Sequence, residues 1–418
     1  MFRMRKKIIL EDMYIKLILL FPVFTILAGL ISSLNKIFFA ALVALQLIIL
    51  LTKPILKSHV FIFLLALVLA IFSAIQTTEK LYNLNDIFYF PFMILYFCYI
   101  IKNQEAFFDG LNSNKHFISL TIILWHVLVL FSMCFSTSFE RANGGVNFVS
   151  FAGSTFRLAP TALFIMCISY YLMKQHKQRY YFLFSALPMF CFLMGGTRTY
   201  LGIGCILFFI MLYNFLNSKK LFLFCLIPAI LILVIFIYYG SIGDKIRLTL
   251  YNKNSYFDFW GTLTSGRTVF WKADLDNFFS QPVMNRLFGN GYNFVYNVNK
   301  KYFGNAIWAH NDFIQILLTY GYLGLIIYVF LIASLFKTIY KTTKNSKFLF
   351  LGYIMVWLLN AFFNMYYTYF CAMLSLPILI MADKQTQPKI TQESEPQKID
   401  HAKKYAVKRI NKQVLFDA

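Results

Sequence analysis

Four cationic or titratable side chains stand where a bilayer would make charge expensive. Arg198 lies in MGGTRTYLG, between two apolar runs with almost no loop between them. A guanidinium at the edge of an apolar slab is costly and often functional. Thr197 and the start of the following helix add donors pointing the same way, a combination that favours an anion. The competing reading is an arginine that snorkels to anchor the hairpin among headgroups. Arg267, in TSGRTVFW, opens the stretch RTVFWKADLDNFF, whose apolar residues recur at helical spacing. Arg157, in STFRLAP, starts another apolar run. His310 stands directly before the run IQILLTYGYLGLIIYVFL, with Asn311 and Asp312 as helix caps. A lone histidine there is most often structural. The arginines together, with few fixed carboxylates among them, suit a phosphate or pyrophosphate. The carboxylates Glu140, Asp244, Asp258, Asp274 and Asp276 show neither the clustering of a metal cage nor the pairing of a two-carboxylate hydrolase, so no metal and no cofactor is expected.

The elements that must hold these residues are membrane helices. The 418 residues are 59% hydrophobic and 13% charged, half the charge of an ordinary soluble chain. Continuous apolar runs of about 20 residues recur along most of the length, which implies helical spans and not a barrel. The spacing predicts spans over 13–32, 36–52, 58–76, 86–101, 116–136, 158–173, 180–196, 199–216, 220–240, 313–336, 347–363 and 365–382. The expected fold is therefore all-α: a polytopic membrane protein of about twelve transmembrane helices, with a large extracytoplasmic loop, 241–312, between the ninth and tenth.

The net charge of +22 would suggest nucleic acid in a soluble protein, but here it follows the positive-inside pattern. Lys and Arg collect at the amino terminus and in alternate connections, such as Lys53, Lys57, Lys174, Lys177, Lys219 and Lys220. The short loops of the opposite side hold Lys36, Lys80, Arg141, Arg157 and Arg198. Both termini are thus expected in the cytoplasm and 241–312 outside, which leaves His310 as the outward-facing member of the six histidines. His126 falls inside a span and reads as an interhelical hydrogen-bonding residue. All seven cysteines lie in predicted spans, so neither a disulfide framework nor a zinc site is implied. Residues 1–382 form the membrane domain, and 383–418 a polar, basic cytoplasmic tail that either lies near anionic lipid or is simply solvated. Trp260, Trp271, Tyr292, Tyr296, Tyr302 and Trp308 lie in the loop, where they can stack on sugar rings or anchor the loop at the interface.

GGTRTYLG after a span, SGRTVFW in a large external loop, GNGYNFV, and then AHNDFIQILLTYGYLGLIIYVFL resemble the O-antigen ligase and polysaccharide polymerase superfamily of bacterial envelope proteins. The resemblance covers roughly 155–380. It implies a GT-C-like glycosyltransferase of the bacterial inner membrane. Such an enzyme moves a glycan carried on undecaprenyl pyrophosphate to an acceptor hydroxyl on the extracytoplasmic side, with inversion and without a metal. It further implies that Arg198 and Arg267 bind the pyrophosphate and that His310 assists the acceptor hydroxyl, as base or by orienting it. Arg157, Asn311, Trp271 and Tyr292 are the further substrate-binding candidates. A polymerase, extending one repeat unit with another, is favoured over a ligase, whose acceptor is lipid A-core or protein. Membrane lipids and a chain-length regulator protein are the other partners implied, and no nucleic acid. A flippase or transporter is the rival class; it calls for related halves and ionisable residues at mid-membrane depth. A scaffold without catalysis would not need Arg198, Arg267 and His310 to converge.

Overall fold

A helix that is apolar on every side must be covered on every side, by protein or by lipid. In the computed structural model of the chain, the described residues are 2–384 apart from 53–56, 78, 143–144, 217, 240–242, 244–260, 262–263, 265 and 343–346. Asp244, Asp258 and Trp260 lie outside them. The chain divides into one compact unit, Met1–Asp383, and a second, Lys384–Ala418, which beyond Lys384 also lies outside the described residues. In chain order the helices are α1 (Phe2–Leu27), α2 (Ser32–Thr52), α3 (Lys57–Gln76), α4 (Asp86–Lys102), α5 (Gln104–Ser113), α6 (Lys115–Ser132), α7 (Thr155–Gln175), α8 (Ala186–Met194), α9 (Arg198–Leu216), α10 (Lys219–Tyr239), α11 (Arg267–Phe279), α12 (Val283–Phe288), α13 (Phe294–Phe303), α14 (Asp312–Thr342), α15 (Lys347–Phe363) and α16 (Phe370–Ala382). The described strands are one antiparallel hairpin, β1 (Phe139–Ala142) with β2 (Gly145–Phe148), in which Phe139 faces Phe148.

At the centre, α7 packs along α16. Every residue of α7 from Leu158 to Met173, and all of α16, is buried. Ser154 caps α7, its hydroxyl accepting from the Phe156 N–H at 3.2 Å. Polar side chains stitch this core: the Trp125 indole donates to the Thr161 hydroxyl at 3.1 Å, and the His126 ring nitrogens lie 2.8 Å from the Ile122 carbonyl and 3.1 Å from that of Phe184. His126 is thus the interhelical bridge its position suggests. The outer helices carry exposed apolar faces, including Phe61 and Val68 on α3 and Phe224 and Ile227 on α10. Faces of this kind are unfavourable in water and unremarkable against lipid tails.

Among the described residues four helices, α6, α7, α9 and α14, are by length and composition able to cross a membrane. The run expected to span 180–196 is not one α-helix. It is a 3-10 segment, Arg179–Ser185, followed by the nine-residue α8. Because a 3-10 turn rises about 2.0 Å per residue against 1.5 Å, the whole segment still extends roughly 28 Å. The run expected at 365–382 becomes helical only at Phe370, since Met365–Tyr369 form a turn closed by Thr368 and Tyr369 N–H bonds to the Met365 carbonyl.

From Arg267 to Asp312 the polar stretch is folded too. Its helices α11 and α13 pack on each other and on α14, with α12 also against α14. The apolar side of α11 (Trp271, Phe278) is covered by protein. Two glycines allow the closest approach. Gly321 breaks α14 with φ 69° and ψ −167°, and a Cβ there would sit 2.4 Å from the Leu287 carbonyl oxygen. Gly289 (φ 97°) meets the same bend from the other side, where a Cβ would lie 2.0 Å from the Thr319 carbonyl oxygen. Only glycine fits both positions.

Candidate functional site

The turn bearing Arg198 is set by GlyGly. The Gly195 N–H closes α8 on the Cys191 carbonyl at 2.8 Å, Gly196 takes the left-handed conformation (φ 62°), and α9 begins directly at Arg198. Thr197, just before it, keeps its hydroxyl buried and without a hydrogen-bond partner.

Arg267 is likewise the first residue of its helix, following Gly266 at φ 83°. Its guanidinium donates to the carbonyl of Phe363, at the end of α15. One turn on, the Trp271 indole N–H donates to the Ala309 carbonyl at 2.6 Å, and the ring lies edge-on to Phe362, 5.3 Å between centroids. The Asn311 amide donates to the Phe362 carbonyl at 3.1 Å, while its oxygen caps α14 by accepting from the Ile314 N–H at 3.1 Å. The Ala309 N–H is taken by the Gln315 side chain at 3.1 Å. The residues on both sides of His310 are therefore fixed, from α11, α14 and α15.

Between these clamps His310 adopts φ 53°. This left-handed conformation costs a non-glycine residue about 1–3 kcal/mol and persists only where neighbours over-determine it. The ring lies 6.5 Å from that of Phe156, nearly parallel at 27°. Its Nδ1 is buried and has no hydrogen-bond partner. Burial first, and the Arg267 charge second, push its pKa down to about 4, so the imidazole is neutral at physiological pH. Arg267 is itself lowered by burial; the nearby Tyr369 hydroxyl offsets part of this, and the Arg198 charge adds a smaller lowering. The three side chains thus form one electrostatic series, Arg198 acting on Arg267 and Arg267 on His310.

His310 and Arg157 also line a cavity of about 640 Å³, together with Lys36, Tyr89, Trp308 and Tyr369. Neither Arg198 nor Arg267 is part of that lining. The remaining sequence candidates serve the fold. Tyr292 is 2% exposed, its hydroxyl donates to the Ala70 carbonyl at 3.2 Å and its N–H to Thr77 at 3.0 Å. Asn311 and Trp271 spend their polar atoms positioning the backbone around His310. Sequence reasoning missed Asp86, at the start of α4, whose carboxylate accepts from the Tyr296 hydroxyl and the Asn83 amide, both at 2.8 Å. It also passed over Asp274, fully buried on α11. The cluster LYNLND is polar enough to mark the first; nothing local marks the second as buried. Among the described residues no group of three His, Cys, Asp or Glu side chains could hold a metal ion.

No curated protein matches the chain. The model of the O-antigen ligase family matches residues 181–329, the segment that runs from the 3-10 turn before Arg198, through Arg267 and His310, into α14. Over that segment the chain, an integral membrane protein, is similar to the O-antigen ligase family, which supports the resemblance to the O-antigen ligase and polysaccharide polymerase superfamily.

Proposed function

We propose that the protein is a polysaccharide polymerase of the bacterial inner membrane, extending one repeat unit with glycan delivered on undecaprenyl pyrophosphate. The observation that carries this reading is the coupled series of Arg198, Arg267 and a neutral His310 at helix ends, inside the segment matched by the family. Twelve spans, both termini in the cytoplasm and the Arg267–His310 face outside complete the picture; the roughly 28 Å rise of Arg179–Met194 supports counting it as a crossing.

In the reaction the acceptor hydroxyl oxygen attacks the anomeric carbon from the face opposite the pyrophosphate, which inverts the configuration. The bond from that carbon to the pyrophosphate oxygen breaks, and the electron pair leaves with the lipid pyrophosphate. Charge grows on that oxygen in the transition state, where Arg198 and Arg267 stabilise it without a metal. The hydroxyl proton goes to His310. A pKa near 4 makes the empty-site imidazole a weak base. Pyrophosphate at Arg267 cancels the smaller of the two causes and raises that pKa, so the base strengthens as donor binds.

The match to the O-antigen ligase family favours a second reading, a ligase that uses lipid A-core as acceptor. Deleting the gene separates the two: single repeat units on the core identify a lost polymerase, glycan stranded on its carrier a lost ligase. Arg198→Ala, Arg267→Ala and His310→Ala should each abolish long-chain glycan at unchanged membrane protein level. A normal chain-length distribution in all three would remove the assignment.

A further inference from the structure

α14 runs for 31 residues, and its side chains show that it is not one rod. Asp312 and Tyr328 are 16 residues apart, which a continuous helix would spread over about 24 Å. Yet the Tyr328 hydroxyl donates to the Asp312 carboxylate at 2.6 Å, and the Phe313 and Tyr328 rings lie 5.6 Å apart between centroids. The chain must therefore double back at Gly321, the residue with non-helical φ and ψ. The first arm, 312–320, ends like a helix in its own right. Its last carbonyls are taken from outside, that of Leu318 by the Asn290 N–H at 3.0 Å and that of Thr319 by the Ser73 hydroxyl at 2.8 Å. The second arm, 322–342, has the length of a membrane crossing. His310 thus stands at the free end of a short arm folded against a span, at the level of Tyr328 and about two turns from the bend.

Trp271, Asn311 and Gln315 fix the backbone on either side of His310, but none of them ties the short arm to the long one. Of the side-chain hydrogen bonds among the described residues, that from Tyr328 to Asp312 joins the two arms. Both partners are fully buried, and neither lines the cavity that His310 faces. The N–H groups of Tyr366 and Tyr367 also face the Asp312 carboxylate, from the turn that carries the cavity-lining Thr368 and Tyr369. Shut off from the cavity, Asp312 has no bond to make or break in the transfer reaction. A carboxyl group is nevertheless expensive to bury among membrane helices and marks a function where it occurs.

We propose that Asp312 and Tyr328 are positioning residues, a latch whose hydrogen bond folds the short arm back and so holds His310 in the cavity wall. The proposal rests on the transfer reading above and adds two residues that touch no substrate. An apolar pair at these positions would keep the arms in contact but let them slide and rotate; a directional bond of 2.6 Å fixes one register.

The test uses the full chain in nanodiscs, supplied with a lipid-linked repeat unit. Tyr328→Phe removes the donor and keeps the ring. Its kcat should fall at least roughly tenfold, the scale of a stranded buried acceptor, with KM unchanged because the cavity lining is intact. Its melting temperature should fall too. The double variant Asp312→Leu, Tyr328→Phe strands no polar group, so its melting temperature should return toward the wild-type value. Its kcat should stay low, because apolar contact does not fix the register. Recovery of kcat together with melting temperature, or wild-type kcat in Tyr328→Phe, would reduce the pair to a purely structural one and overturn the proposal. A readout independent of transfer is the carbethoxylation of His310 by diethyl pyrocarbonate, followed by peptide mass spectrometry. Its rate should rise several-fold in both variants while that of His126 stays constant. An unchanged rate at His310 likewise overturns the proposal. A wild-type chain that transfers no glycan, with faster labelling of His310 in the variants, would instead sink the enzymatic reading and leave the latch standing.

Discussion

Trp271→Phe isolates the hydrogen bond that seats the segment carrying His310. Phenylalanine keeps an aromatic ring edge-on to Phe362 but removes the indole N–H that reaches the Ala309 carbonyl at 2.6 Å. Ala309 is fully buried. Leaving such a carbonyl without its donor costs about 1–3 kcal/mol. The next residue, His310, holds φ 53°, a strained conformation of about 1–3 kcal/mol that the neighbouring bonds maintain. Relaxing this segment relieves both terms and carries the imidazole out of place. At 1.4 kcal/mol per factor of ten, the seated population falls by roughly 5- to 150-fold. Trp271 does not line the cavity, so the loss should appear in kcat with KM nearly unchanged. Purified protein in nanodiscs, given a lipid-linked repeat unit and assayed for glycan transfer, measures both constants. A variant with wild-type kcat, or one whose defect lies only in KM, would refute the argument that this bond positions His310.

The low pKa of His310 predicts that kcat/KM, which reports the free enzyme, stays level from pH 8 down through 6.5 and falls only as pH approaches about 4; a fall centred on the ordinary imidazole value would contradict it. For kcat the fall should come at higher pH, because bound pyrophosphate raises the same group. Asp274 runs the other way: it is fully buried, makes no hydrogen bond of ordinary geometry, and burial pushes its carboxyl up to about 7, the Asn299 amide offsetting part of that shift. The unfolded chain releases this proton from about pH 4 upward while the folded one keeps it, so the stability penalty grows with pH until about 7. Asp274→Asn should therefore raise the melting temperature at pH 8 clearly more than at pH 4.5, and equal shifts at the two values would count against it.

Helix positions were legible because a bilayer demands long apolar runs, and each run expected to span did form helix at or near its place. The candidate residues stood out for the complementary reason: Arg198, Arg267 and His310 are polar side chains at the ends of apolar runs, where a charge needs a purpose. What stayed hidden depends on contacts far apart in the chain. Asp86 meets Tyr296 across 210 residues, and Lys36 on α2 shares a cavity with Arg157 on α7. No periodicity encodes such a meeting. Tyr292 and Asn311 looked available for substrate because sequence shows a polar atom but not the carbonyl that occupies it; here those carbonyls belong to Ala70 and Phe362. The 3-10 stretch Arg179–Ser185 was hidden for a similar reason, since its composition is that of any apolar span.

The way His310 is held bears on the rival class. A transporter alternates access by rocking one bundle against another around its site, so the site's supports must separate and re-form. The segment around His310 is tied by Trp271 from α11, by Gln315 and Asn311 of its own helix, and through Asn311 to the Phe362 carbonyl of α15. The same end of α15 receives the Arg267 guanidinium. Moving α11 relative to α14 would break the Trp271 bond and strand the buried Ala309 carbonyl, and moving α15 relative to α14 would break the Asn311 bond to Phe362. Rigid support of one imidazole and one guanidinium from a single helix end is what transition-state stabilisation requires, because charge that develops briefly is best met by dipoles already in place. Alternating access would have to dismantle that support in every cycle, and the cost of doing so favours chemistry at a fixed site over transport.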